Sequence, residues 1–219
     1  MIKVRYIRFR CSGLSLDAMS ERARRLKVHG IDVVRTDSSG LFVLYTVTRH
    51  LSVMEIRPDG EEVRTTVPTM EQYKIRLFSV GSKLYLCLLD PPRGTRVACD
   101  VLDLICAEHR YFVEAYEIDK SLIDRHVGHF GLARLVSAKV RDFRVDDDAV
   151  ARLEVSSKEG LSAEIAPFLS GKFYRVDSMT FEISHDFRKG LITYASNGTL
   201  KVSDALAEFA FPAFESLIG

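Results

Sequence analysis

The stretch Tyr73-Lys74-Ile75-Arg76-Leu77-Phe78-Ser79-Val80-Gly81-Ser82-Lys83-Leu84-Tyr85-Leu86-Cys87-Leu88-Leu89 decides the fold class. Two runs rich in aliphatic and aromatic residues flank a Gly-Ser pair, the pattern of a β-hairpin. Upstream, Leu51–Arg57 pairs with Glu61–Val67 across Pro58-Asp59-Gly60, a good turn sequence. Leu41–Thr48 is a strong strand, and Ile31–Arg35 precedes it across Asp37-Ser38-Ser39-Gly40. Ser15 caps a helix over about 16–28, whose stripe is Leu16, Met19, Ala23 and Leu26, and Gly30 stops it. Residues 2–10 form a strand whose alternation slips between Tyr6 and Ile7. That slip predicts either a bulge or burial on both faces.

Downstream, Asp90-Pro91-Pro92-Arg93-Gly94 breaks the strand pattern. A helix over about 95–107 follows, with Val97, Val101, Leu104 and Ile105 inward. Tyr111–Ile118 reads as extended, Asp119–His126 as a short helix, and Leu132–Phe143 fits neither period well. Ala149–Val155 is a strand, Leu161, Ile165 and Phe168 mark a short helix, and Phe173–Val176 and Met179–Ser184 are strands. Leu191–Ser196 and Thr199–Val202 close around Asn197-Gly198, a strong hairpin signal. Ser203 then caps a final helix, which Pro212 is expected to kink or end near Phe211.

Hairpins in series without strand–helix–strand alternation predict an α+β fold with predominantly antiparallel sheet and covering helices. Each half ends on a hairpin and a helix, at 73–107 and at 180–218. The chain therefore reads as one domain or as two similar α+β units, 1–110 and 111–219. Residues 1–100 hold 17 Lys and Arg against 11 Asp and Glu, net +6; residues 101–219 hold 14 against 19, net −5. A basic half and an acidic half make a bipolar molecule that packs head to tail or offers one face to a polyanion.

Several chemistries are excluded or disfavoured. No G-x-x-x-x-G-K-[ST] or G-x-G-x-x-G occurs, so neither a P-loop nor a dinucleotide fingerprint is present. No G-x-S-x-G places a serine nucleophile, and His185-Asp186 are neighbours that point apart on a strand. Cys11, Cys87, Cys99 and Cys106 show no CxxC spacing and read as reduced thiols. No apolar run approaches the length of a membrane span, and charges interrupt Met1–Arg10, so the chain reads as cytoplasmic with no membrane partner. No cofactor is expected. One Asn and one Gln leave little capacity for adenine-specific readout.

Three clusters remain. Arg5, Arg8 and Arg10 on the first strand, interleaved with Tyr6 and Phe9, and Arg22, Arg24, Arg25 and Lys27 on the first helix suit contact with a nucleic-acid backbone. The ordinary reading is a charged edge strand and a solvated helix face. Leu206, Phe209, Phe211 and Phe214 belong to a helix too apolar for one stripe, which either packs in its own domain or docks on a partner. His126 and His129, with Asp124 nearby, are the densest set of metal ligands, and Asp146, Asp147 and Asp148 could hold a divalent cation. The expected function is a non-catalytic binding protein. It would be a subunit of a homo-oligomer or protein complex that contacts nucleic acid through its basic half. The competing reading is a metal-dependent hydrolase of the nuclease type.

Overall fold

The computed structural model describes residues 1–58, 60–146, 149–161 and 174–218. Asp147, Asp148 and, apart from Leu161, the helix expected from Leu161 to Phe168 lie outside these residues, as does Phe173. The fold is α+β, and the strand pairings below are antiparallel. The chain divides into two compact units, but they interleave instead of following one another. The larger comprises Met1–Arg10, Ser79–Pro91 and Phe112–Gly219; the smaller comprises Cys11–Phe78 and Pro92–Tyr111. The expected boundary near residue 110 is one of four crossings between them. Counted by unit, Lys and Arg number 13 against 12 Asp and Glu in the smaller, and 18 against 18 in the larger. The charge asymmetry of the two chain halves therefore does not survive folding.

In the larger unit, strands run in the order β5 (Lys83–Leu89), β1 (Ile2–Cys11), β11 (Thr199–Val202), β10 (Arg188–Ala195), β9 (Arg175–His185), β7 (Leu132–Asp146) and β8 (Ala149–Ser156). The short β6 (Tyr111–Ala115) also pairs with β1. The slipped alternation of β1 is not a bulge. Its register with β5 runs unbroken from Val4↔Leu89 to Phe9↔Leu84. Val4, Arg5, Tyr6 and Ile7 are all buried, so both faces of the strand are covered and both can be apolar.

Asn197-Gly198 closes the β10–β11 hairpin as expected, with Ala195 opposite Thr199. Gly198 has φ +80°, and a Cβ there would stand 2.5 Å from the Tyr6 carbonyl oxygen. Only glycine allows this turn to press on β1, whose Tyr6 N–H donates to the Gly198 carbonyl at 2.9 Å.

One face of this sheet carries α3 (Lys120–Val127) and the final helix α4 (Ala207–Leu217). Asp119 caps α3 by accepting from the Leu122 N–H at 2.8 Å. Helix α4 follows a 3₁₀ turn, Asp204–Leu206, and passes through Pro212 without ending. The helix therefore does not end near Phe211, the second of the two expected outcomes. Pro212 lies on the exposed side of the helix, where a missing ladder bond is tolerated. The opposite side is anchored by tyrosines of the sheet. Tyr6 stacks on Phe214 with centroids 5.1 Å apart and donates its hydroxyl to Glu215 Oε1 at 3.0 Å. Tyr85 donates to the Ile218 carbonyl.

In the smaller unit, β2 (Ile31–Asp37), β3 (Gly40–Ile56) and β4 (Glu62–Val80) form a meander. Helices α1 (Leu16–Arg24) and α2 (Arg96–Cys106) belong to the same unit, and α1 packs on β2, β3 and α2. Met19 and Ala23 of α1, and Val97, Ala98, Val101, Leu102 and Ile105 of α2, are buried. Helix α1 is shorter than expected. It gives way to a 3₁₀ turn, Lys27–His29, that ends at Gly30 with φ +82°. The segments expected at 41–48 and 51–57 merge into one 17-residue strand that ends at Ile56, and those at 61–67 and 73–80 into one 19-residue strand that begins at Glu62.

The packing predicts how α4 behaves as a core element. Phe214→Ala should lower the unfolding free energy by about 3–5 kcal/mol in a denaturant titration. Phe211→Ala, at a half-buried position, should cost distinctly less. Equal small losses would show that α4 is not part of this core.

Candidate functional site

The basic cluster is divided. Arg5 is buried at 7% exposure, and its Nε donates to Thr199 Oγ1 at 3.3 Å. Desolvation lowers its pKa. It is a core residue and unavailable to a polyanion, which corrects its place in the expected interface. Arg8 donates from Nε to Glu114 Oε2 at 2.6 Å, and Arg10 pairs with the other oxygen of that carboxylate at 2.8 Å. In the smaller unit Arg22 donates to the Cys106 carbonyl at 3.4 Å, and Arg25 pairs with Glu21 at 2.8 Å. Lys27 lies 3.9 Å from Asp32, and Arg24 is exposed. The strand arginines and the helix cations therefore belong to different units.

The expected partner-binding set is also divided. Leu206 and Phe214 are fully buried within their own unit. Phe209 is half-buried, packed edge-on to His185 at 5.4 Å with the Arg188 guanidinium 4.9 Å from its ring centroid. Phe211 is half-buried. Leu206 and Phe214 are thus corrected from partner contacts to core residues.

His126 is likewise a core residue. It is fully buried, with Nδ1 2.6 Å from the Tyr194 hydroxyl and Nε2 2.9 Å from the Ala210 carbonyl oxygen. A carbonyl only accepts, so Nε2 carries the proton and the Tyr194 hydroxyl donates to Nδ1. Both nitrogens are engaged, and edge contacts to Phe130, Tyr194 and Phe214 at 5.2–5.6 Å surround the ring. Burial pushes its pKa down to about 4. The pairing of His126 with His129 as metal ligands is therefore corrected. Asp124 is exposed and accepts from Lys120 instead. No group of three or more His, Cys, Asp or Glu side chains among the described residues is arranged to hold a metal ion. A signal for this outcome existed: Leu122 and Ile123, four and three residues earlier, share one helical face with His126.

His129 is exposed and lines an open cleft of about 680 Å³ with Phe130, Leu132, His185, Asp186 and Phe187. Asp186 and Phe187 form the two-residue β9–β10 turn, with φ +45° and +62°. Because the strand ends at His185, Asp186 turns back to bring Oδ2 within 3.6 Å of His185 Nε2. No serine, threonine or cysteine side chain hydrogen-bonds a histidine ring among the described residues. The Cys106 thiol is pushed up to about 12 by burial and by its hydrogen bond with Cys11, which leaves it inert.

The feature that sequence reading missed is the outer part of the β3–β4 ladder. Sixteen consecutive pairs run from Leu41↔Leu77 to Ile56↔Glu62 without a register shift. Strand β2 accompanies β3 only to Tyr45, opposite Ile31. Beyond that point the two strands continue as a ribbon of about ten residues each. Leu51, Val53, Met54, Ile56, Val67 and Met70 are 43–71% exposed there. By pleat parity Leu51, Val53, Val63 and Val67 share one face, and Met54, Ile56 and Met70 share the other. Arg49 and Glu71, paired at 2.6 Å, sit at the base of the first face. The unrecognised signal was continuity of the alternation through Arg49-His50 and through Pro68.

No family model matches the chain, and no curated protein matches it.

His126 makes stability pH-dependent in a defined direction. Above its ordinary pKa of 6.5 the ring is neutral in folded and unfolded chains alike. As pH falls from 6.5 to about 4, the unfolded chain takes up a proton that the folded core refuses, so stability falls across that window. The shift corresponds to about 3 kcal/mol. Denaturant titrations at pH 7 and pH 4 should show His126→Gln losing about 3 kcal/mol less than wild type between the two. An identical loss in both proteins would contradict the assignment.

Proposed function

We propose that this chain is a non-catalytic, complex-forming subunit whose partner contact is made by the outer β3–β4 ribbon. The observation that supports the reading is a two-stranded ladder that outruns its cover while keeping aliphatic side chains on both faces. An isolated two-stranded ribbon is marginal in water. Ordering each of its residues costs about 1–2 kcal/mol of backbone entropy. Exposed Leu, Ile, Val and Met return little of that unless another surface covers them, when each full burial contributes about 1.5–3 kcal/mol. Contiguous exposed apolar groups on a regular element are the usual mark of an interaction site.

The alternatives have less support. A metal-dependent hydrolase loses its ligand pair to the core at His126. Nucleic-acid contact loses Arg5 to burial, and each structural unit is close to neutral overall.

Replacing residues 48–70 with Asn-Gly joins Val47 to its partner Glu71, a hydrogen-bonded pair, through a two-residue turn of the preferred kind. The shortened protein should unfold at the same temperature as the full chain. It should also lose the complexes that chemical crosslinking of the full chain reveals in cells. A shortened protein that crosslinks into the same complexes would overturn the reading.

A further inference from the structure

We infer that the outer edge of β3 pairs with the same edge of a second copy of this chain, antiparallel and about a two-fold axis at Ser52. The inference rests on the reading of the ribbon as the contact element and names its partner. The two edges of the ribbon differ. On β4, Pro68 interrupts the row of backbone N–H groups, as prolines do on edges that must not pair. On β3, residues 47–56 contain no proline or glycine, and β2 has ended at Tyr45. This leaves about 34 Å of regular strand whose outer row of donors and acceptors is paired by no strand among the described residues. Strand addition to such an edge is a common recognition mode.

The sequence of that edge is complementary to itself. A two-fold axis normal to the sheet keeps each face on its own side, so paired residues have numbers of equal parity. An axis at Ser52 lies at the middle of the free segment and pairs residues whose numbers sum to 104. Arg49 then stands opposite Glu55 of the second copy, and Glu55 opposite Arg49. Leu51 meets Val53 on the same face. On the other face His50 meets Met54 and Thr48 meets Ile56. Shifting the axis to Leu51 or Val53 destroys the charge match: Glu55 then faces Val47, or Arg49 faces Arg57. The result is a four-stranded ribbon in which the aliphatic groups Leu51, Val53, Val63 and Val67 of both copies form one continuous face.

The charges provide a test that separates pairing between copies from effects within one. Glu55→Arg alone places like charges opposite each other at both ends of the ladder, and Arg49→Glu alone does the same. An equimolar mixture of the two restores an opposite pair at each end. Sedimentation equilibrium of the purified full chain should give a concentration-dependent dimer. Each single variant should dimerise about tenfold more weakly or worse, and the mixture should recover wild-type strength. Arg49→Glu also loses its contact with Glu71, but that loss persists in the mixture, so recovery can come only from pairing between chains. Single variants that dimerise as wild type, or a mixture no stronger than its components, would overturn the inference. A full chain that stays monomeric while ribbon-dependent crosslinks to another protein persist would overturn the second copy and keep the ribbon as contact element. The absence of any ribbon-dependent association would overturn both.

Discussion

A β-strand needs partners on its edges and cover on its faces, and β1 meets both demands. β5 pairs along one part of it, β11 along another, and β6 joins as well. Four successive side chains, from Val4 to Ile7, are buried. The larger unit is assembled on this strand. Tyr6 carries its influence outward, through the backbone bond to Gly198 and through ring and hydroxyl contacts to Phe214 and Glu215 of α4. The same face holds the Tyr194–His126–Ala210 relay, which ties β10, α3 and α4 together by two hydrogen bonds among apolar rings. A neutral histidine is the natural occupant of that position: it donates on one side and accepts on the other without carrying a buried charge.

The outer ribbon lacks what β1 has. Its backbone is paired from Thr46↔Gln72 to Ile56↔Glu62, but its faces are open, and β3 has no strand on its outer edge beyond Tyr45 among the described residues. Hydrogen bonding within the ladder orders the ribbon without giving its aliphatic side chains anywhere to go. A protein that keeps Leu51, Val53, Met54 and Ile56 in such a position retains an aggregation hazard unless the edge has a specified mate. In the proposed pairing, the proline on one edge and the self-complementary charges on the other would favour one mate over others.

Much of the local structure was legible from residue type. Asn197-Gly198 marked its hairpin, Ser15 and Gly30 bracketed the first helical segment, and Asp119 marked the start of α3. These signals are local, and the physics behind each acts over a few residues. What failed to show was governed by distant partners. The slip in β1 could not be resolved without knowing that both faces are covered. His126 and His129 looked equivalent by spacing, yet one is enclosed by Tyr194 and Phe214 and the other faces solvent. The charge contrast between chain halves vanished because the units interleave, which no composition window can reveal. Arg49-His50 and the segment around Pro68 fall between the strands expected at 41–48 and 51–57 and at 61–67 and 73–80. A ribbon open on both faces accepts polar residues and an edge proline without breaking register.

The most direct test of the ribbon as a self-pairing element is amide hydrogen exchange across residues 47–56 as a function of protein concentration. Pairing with a second copy predicts that peptides covering this segment become protected as concentration rises, while those covering 62–68 on the opposite edge change little. Exchange at 47–56 that stays fast at every concentration would contradict the account.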